Sequence, residues 1–286
     1  MLEGLSEFQA LSRHNVEEFP AESDEKLHFI IDTKRQPDAL IRLYQAGEEL
    51  DLHFLYAQTE FSELASDGPL WFSVPRDSGL ARLGMQFCLE RQAGIVLSSS
   101  DEQAALAHAR WLLRVGDLAG GESLIAFYLP AIWAALALTT DEHGMLLGPW
   151  RRVFSPAPSR FEAFGAWLKW SVPEAAAGAW SHQARYALSK ATPAFMRTLR
   201  WVYWIGEERA AFGDPTPERL PELIANLEAL VEHRIYEGSH LLKLVDLIGA
   251  SPIAERPEAM SILRSPEEAF IKVERLQALL VAVNPN

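Results

Sequence analysis

A single cysteine, Cys88, stands in 286 residues, so no intramolecular disulfide can staple this chain. Its surroundings, Gly84-Met85-Gln86-Phe87-Cys88-Leu89, are apolar, which reads as a small buried hydrophobe in a reducing cytosol rather than a nucleophile. Net positive charge is missing as well. Against 39 acidic side chains stand 26 Lys and Arg, a formal charge of −13, and phosphate backbones are bound through clustered cations. A nucleic-acid partner is therefore not expected. The long apolar run of a membrane span is also lacking. The uncharged stretch 123–140 is divided by Pro130 into a strand-like piece and a helix-like piece, each too short to span alone. The opening Met1-Leu2-Glu3-Gly4-Leu5 has neither the basic region nor the apolar stretch of a signal peptide, so a cytoplasmic location without membrane insertion is expected.

Signatures of chemistry are equally scarce. There is no Gly-x-Ser-x-Gly elbow, no phosphate-binding glycine loop, no Gly-x-Gly-x-x-Gly and no His-Glu-x-x-His. His233, Glu237, His240 and Asp246 could be drawn as a metal site around Gly238, but their spacing demands none. Ser98-Ser99-Ser100-Asp101 reads as a strand end feeding a helix cap. The pairs Glu17-Glu18, Glu48-Glu49 and Glu207-Glu208 point about 100° apart on a helix and do not face one another as a catalytic dyad must. No catalytic residue, cofactor or metal follows from the sequence.

What is present is alternation. Short β-type runs fall at 27–32, 52–57, 69–74, 94–99 and 123–128, and helical patterns at 37–46, 79–91, 101–115 and 130–138. Ser100 with Gln103 makes a capping box for the third helix. Strands separated by helices predict an α/β layer with some parallel pairing. A short helix is expected near Leu5–Leu11 within a polar, acidic opening. Past Arg151 the strand signals stop. Ser155-Pro156-Ala157-Pro158-Ser159 reads as a linker, and the remainder is helical in period. Leu220, Leu223, Ile224, Leu227, Leu230 and Val231 form one buried stripe; Phe270, Val273, Leu276, Leu280 and Val283 form another. Thr192, Thr216 and Ser265 each precede a proline at a helix start, and Glu268 completes a box with Ser265. The expected organisation is an α/β N-terminal lobe with a mixed sheet, residues 1–152, then an all-α C-terminal lobe, residues 153–286.

The most informative stretch is 54–74. An apolar run ends in the small amphipathic segment 60–65, breaks at Asp67-Gly68-Pro69 and resumes as a second apolar run. Gly68 can take φ > 0, and Pro69 fixes φ at the start of the next strand. With Leu27–Asp32, Pro37–Tyr44, Ala93–Ser99, Leu106–Val115, Glu122–Trp133 and Gly148-Pro149-Trp150, it resembles the effector chaperones (adaptors) of bacterial type VI secretion systems. Where that family has Asp-Pro-Arg after Phe-Tyr, this chain has Leu129-Pro130-Ala131. The resemblance implies a protein that catalyses nothing, binds a toxic effector and hands it to the spike protein of the secretion machine. An immunity-type inhibitor and an unrecognised small hydrolase are the rival readings.

One segment suggests a surface. Residues 151–200 carry 8 basic and 2 acidic side chains, whereas the parts before and after are acidic. In the helix drawn from Pro193 to Phe212, the residues Phe195, Leu199, Val202, Ile205 and Gly206 share one face. Arg197, Arg200, Trp201, Trp204 and Glu208 share the other. Trp and Arg are enriched at binding hot spots, so this face, with Trp167 and Trp170, is the candidate partner-binding set. The competing reading is a helix buried on both sides, and nine tryptophans in one chain favour it.

Overall fold

The computed structural model describes residues 2–11, 25–158, 167–171, 184–213 and 215–283. The acidic stretch 12–24 and Ser159 of the expected linker lie outside the described residues. Helix α1 (Leu5–Leu11) precedes β1 (Lys26–Ile31), α2 (Ala39–Gln45), β2 (Asp51–Phe54), a 3-10 turn at Ser62–Asp67 and β3 (Leu70–Val74). Next come α3 (Gly79–Arg91), β4 (Gly94–Ser99), α4 (Glu102–Leu112), β5 (Arg114–Gly116), β6 (Glu122–Leu124), α5 (Pro130–Thr139) and α6 (His143–Leu147). Strands β7 (Arg152–Pro156), β8 (Trp167–Ser171) and β9 (Tyr186–Ala187) lead to α7 (Thr192–Glu207). Helices α8 (Arg209–Phe212), α9 (Leu220–Glu232), α10 (Gly238–Leu242), α11 (Val245–Ile248), α12 (Pro257–Leu263) and α13 (Ala269–Val283) complete the chain. By compactness it divides inside α7, into one unit of Glu3–Arg200 and another of Trp201–Asn286 with Met1–Leu2. No helix among the described residues is long and apolar enough to cross a membrane.

The first unit is built on a six-stranded sheet in the order β2-β3-β1-β4-β7-β8, antiparallel throughout. Its central strands are apolar on both faces because both faces are covered. Leu27, Phe29, Ile31, Leu70, Phe72 and Val74 join one core with Ala39, Leu43, Leu80, Ala81 and Phe87 from α2 and α3. Phe29 and Phe72, directly opposite in register, stack at 4.9 Å. The expected parallel pairing is confined to a small second sheet, β6-β5-β9, where β5 runs parallel to β9.

Two glycines explain two motifs. Gly68 does not use a positive φ; it is extended at φ −84°. It is glycine for room: the Tyr56 ring lies across it, so a Cβ would sit 2.6 Å from ring carbon. The Tyr56 hydroxyl then meets that of buried Tyr128 at 3.1 Å, linking the Gly-Pro break to the Phe127-Tyr128 turn. Gly148 is different, at φ +56°, and a Cβ there would run into the His108 ring. This turn lets Trp150 reach back onto α4: its Nε1–H donates to the Ala105 carbonyl at 3.1 Å and its ring meets His108 edge-to-face at 4.6 Å.

The strand signals do not stop at Arg151. β7, β8 and β9 all lie in the region expected to be helical, and the expected boundary at 152/153 falls at the first residue of β7. Pro156 misled the linker reading. It is the last residue of β7, beyond the Arg152–Phe154 segment that pairs with β4, where a missing N–H leaves no ladder bond unmade on that side. Buried Glu25 fixes the start of this strand, accepting from Arg151 at 3.2 Å and Arg152 at 2.9 Å. Other shifts are smaller. The cap of α4 is Asp101, whose carboxylate accepts from Ala104 N–H at 2.9 Å, rather than Ser100. α13 begins at Ala269, and Ser265 instead donates to the Ile262 carbonyl at 2.7 Å. Of the expected strand at 123–128 only Ser123 and Leu124 pair, joined by Glu122 before them, because Ala126–Leu129 turns into α5.

In the second unit the stripe Leu220, Leu223, Ile224, Leu227 and Leu230 is buried. The C-terminal stripe is buried at Val273 and Leu276, while Phe270 is 54% exposed. Buried Asn226 clamps the chain after α11. Its Nδ2 donates to the Ile248 carbonyl at 2.9 Å, and its Oδ1 accepts from Ile253 N–H at 2.8 Å.

Alanine substitutions separate the two glycine roles. Gly148→Ala combines positive φ with a clash and is expected to cost about 2–4 kcal/mol. Gly68→Ala, a clash alone, should cost about 1–3 kcal/mol. Gly120, at φ +83° with open space around it, is the control for backbone strain and should cost only about 1 kcal/mol. Urea unfolding of the intact chain reads all three, and equal losses would contradict the assignment.

Candidate interaction surface

Helix α7 has the two faces its periodicity predicts. Phe195, Leu199, Val202 and Ile205 are between 0 and 9% exposed, and Gly206 is buried beside them. Arg197 and Arg200 are exposed, and Trp201, Trp204 and Glu208 are half-buried. The tryptophans stand edge-to-face at 5.6 Å, and Trp204 meets Phe212 of α8 edge-to-face at 5.4 Å. Each ring is thus oriented by an aromatic neighbour while part of its surface stays open. An apolar body with an N–H handle on a held ring is what a recognition surface uses.

Trp167 and Trp170 do not belong to that surface. They are 4% and 7% exposed. β8 pairs Trp167 opposite Pro156 and Trp170 opposite Val153, Trp167 enters the core of α2 and α3, and Trp170 Nε1–H donates to the buried Ser155 hydroxyl at 3.0 Å. The near-continuous apolar run Trp167-Leu168-Lys169-Trp170 was the signal for a covered strand; the linker reading next to it hid that.

Perturbed titratable groups lie elsewhere, inside the sheet. His28 on β1 is fully buried and stacks on Trp71 at 5.1 Å. Its Nδ1 is 2.8 Å from Ser73 Oγ, which also accepts from Trp71 Nε1–H at 3.2 Å. Which atom donates between Nδ1 and the Ser73 hydroxyl follows the imidazole tautomer, and Nε2 has no hydrogen-bond partner. Burial pushes the imidazole down to about 4, against the opposing pull of Glu102 and the Ser99 carbonyl. Partial burial would raise Glu102, but hydrogen bonds from Lys26 (2.8 Å) and Ser73 prevail and hold it below the usual carboxylate range. This network orders three strands and one helix. His28 and Ser73 are both buried, so the pair is poorly placed to attack a substrate.

The remaining candidates follow the same pattern. Burial pushes the Cys88 thiol and the Tyr128 phenol well above their ordinary ranges. His240 lies 3.6 Å from Glu237, and among the described residues no three His, Cys, Asp or Glu side chains gather as metal ligands. An open cavity of about 320 Å³ lies between α8, α9 and α11, lined among others by Phe212, Arg219, Leu223 and Asp246. A shallower one of about 540 Å³ flanks α12.

Residues 27–145 match the model of a family described as a domain of unknown function (DUF4123). The match starts at Leu27 in β1 and stops inside α6, so it contains Gly68, Tyr56 and the Phe127-Tyr128 turn, while α7 and its tryptophans lie beyond it. No curated protein and no solved structure matches the chain.

Two measurements test these placements. The His28 pKa is lower in the folded chain than in the unfolded one, near 6.5, so the unfolded state binds more protons between those values. Stability should be full above about pH 6.5 and fall by about 2–3 kcal/mol on acidification to about pH 4. His28→Gln should remove that part of the slope in urea titrations at successive pH; an unchanged slope would acquit His28. Separately, Trp167→Ala should cost about 3–5 kcal/mol. Trp201→Ala and Trp204→Ala should cost clearly less, near 1–2 kcal/mol, because their rings are only partly buried. Equal losses in thermal and urea unfolding would place all three in the core.

Proposed function

We propose that this chain is a cytoplasmic chaperone/adaptor that binds a toxic effector and loads it onto the spike protein of a type VI secretion system. The observation that carries the reading is the family match over 27–145. It covers most of the motifs that resemble those adaptors, among them the strand, Gly68-Pro69, strand element and the Phe127-Tyr128 turn. The half-exposed tryptophans of α7 support a role in recognition, since they offer large contact area at low entropic cost. In this reading the protein works by non-covalent burial alone. A micromolar-to-nanomolar complex needs about 8–12 kcal/mol. The matched part would carry what adaptors share, and α7 with the helices after it would meet the cargo.

Affinity capture of the tagged full-length chain from its native cell tests the reading. Recovery of a toxin together with a secretion spike is the expected result. A toxin recovered without the spike, with its activity blocked in the complex, would overturn the adaptor in favour of an immunity-type inhibitor. Recovery of neither would overturn both.

A further inference from the structure

We propose that the outer edge of β2 takes up an extended segment of a protein partner, alternately apolar and cationic, as a further antiparallel strand of the sheet. This deepens the adaptor reading and rests on it for the partner's identity. β2 (Asp51–Phe54) ends the six-stranded order, and no strand among the described residues pairs with its outer side. Leu55 N–H donates to the Pro69 carbonyl at 2.9 Å, one step beyond the Phe54 and Leu70 pair. By the antiparallel alternation, Asp51, His53 and Leu55 therefore turn their backbone groups to β3, while Leu52 and Phe54 turn theirs outward. The Phe54 carbonyl is taken by Ala57 N–H at 3.0 Å. The N–H and C=O of Leu52 and the N–H of Phe54 have no partner among the described residues. Unpaired donors and acceptors in that order are what an added strand satisfies.

Side chains and charge select the strand. Leu52 and Phe54, with Leu40 and Leu50, are half-buried against the core under α2 and α3. On α2, Ala39 and Leu43 face that core, and Arg42 faces α3, 4.6 Å from the Phe87 ring and 3.2 Å from Glu90. At about 100° per residue, Leu40 and Tyr44 lie on the side away from α3. α3 packs on β1 and β4, so that side is the β2 side. Tyr44 is 66% exposed, and Ile41 beside it is 59%. Alternate residues of an added strand meet this apolar shelf. The residues between them meet the face of Asp51, an exposed carboxylate 3.2 Å from His53. Residues 46–55 hold Glu48, Glu49 and Asp51, all exposed, and no Lys or Arg. Of the cations near them, Lys26 is held by Glu102 at 2.8 Å, Arg42 by Glu90, and Arg76 has Asp77 beside it in the chain. Pairing with a second copy would bring two acidic strand entries together, whereas a cationic strand complements one.

Fluorescence polarisation of the intact chain with short labelled peptides tests this. A peptide alternating Val and Lys should bind, and one with Glu in place of Lys should bind at least about tenfold more weakly. In an antiparallel addition the Val residues turn their N–H groups to β2, so N-methylation at Val should abolish binding and N-methylation at Lys should spare it. Leu52→Pro removes the outward N–H and leaves the bonds to β3 whole, and should weaken the Val/Lys peptide at least about tenfold. Tyr44→Lys, at an exposed position that leaves folding intact, should weaken it about tenfold. Should Leu52→Pro fail to fold, Tyr44→Lys and the methylated peptides decide. No binding of the Val/Lys peptide, equal binding of the Glu peptide, equal effects of the two methylations, or binding unmoved by Tyr44→Lys would overturn the proposal. A dimer in light scattering that Leu52→Pro or Tyr44→Lys dissociates would make the occupant a second copy and overturn it as well. Failure of the adaptor reading looks different: native capture without toxin and spike, while the peptide preferences and both variants behave as stated.

Discussion

Strand β1 is the constraint on which the first unit depends. Of its six residues, Lys26–Ile31, all pair with β4 and all but Lys26 also pair with β3, and all but Lys26 are buried. A strand so placed has no solvent-facing side to absorb error. A slip of one residue would send Leu27, Phe29 and Ile31 to the face that holds His28 and Trp71. The polar side chains at its start therefore have assigned partners: Glu25 holds two arginines, Lys26 holds Glu102, and His28 shares Ser73 with Trp71. These contacts set the register from the side chains while the ladders set it from the backbone.

The same framework falls inside the span that matches the family model. The Tyr56 ring over Gly68 and its hydroxyl against Tyr128 tie the Gly-Pro break to the turn before α5, all within the matched span. A surface ion network joins Arg114 to Glu60 and Glu122, and Glu122 to Arg185, which alone of the four lies beyond the matched span. Such exposed pairs contribute little to stability individually. They do hold the segment leading into α7 to the small sheet. The half-exposed tryptophans thus follow an ordered stretch of chain, and a surface carried that way needs little further ordering to bind.

Much of the fold was legible, and the failures have physical causes. The pattern placed β4 at 94–99 and α3 at 79–91, where the structure has them, because strong periodicity met clear breakers on both sides. β7 and β8 were missed because proline is a local signal and strand pairing is not. Nothing in Ser155-Pro156-Ala157-Pro158 shows that Pro156 stands where one neighbouring strand has already ended. Trp167 and Trp170 were misplaced by the same error. The faces of α7 were readable from spacing, yet whether its tryptophans were covered was not, since exposure depends on elements far along the chain. The cavity beside α11 was invisible for a related reason. Its shape comes from Asn226 reaching the chain 22 to 27 residues away, and one asparagine in an amphipathic helix gives no hint of that.

That asparagine has an evolutionary consequence. The contacts that hold the cavity's rear wall run from one side chain to backbone atoms, so they are indifferent to the identities of Val245, Asp246 and Ala250. Substitutions at those three positions can alter size, polarity or sign while the loop keeps its course. A cavity whose scaffold is main chain can change its lining by single point mutations, each remaining folded.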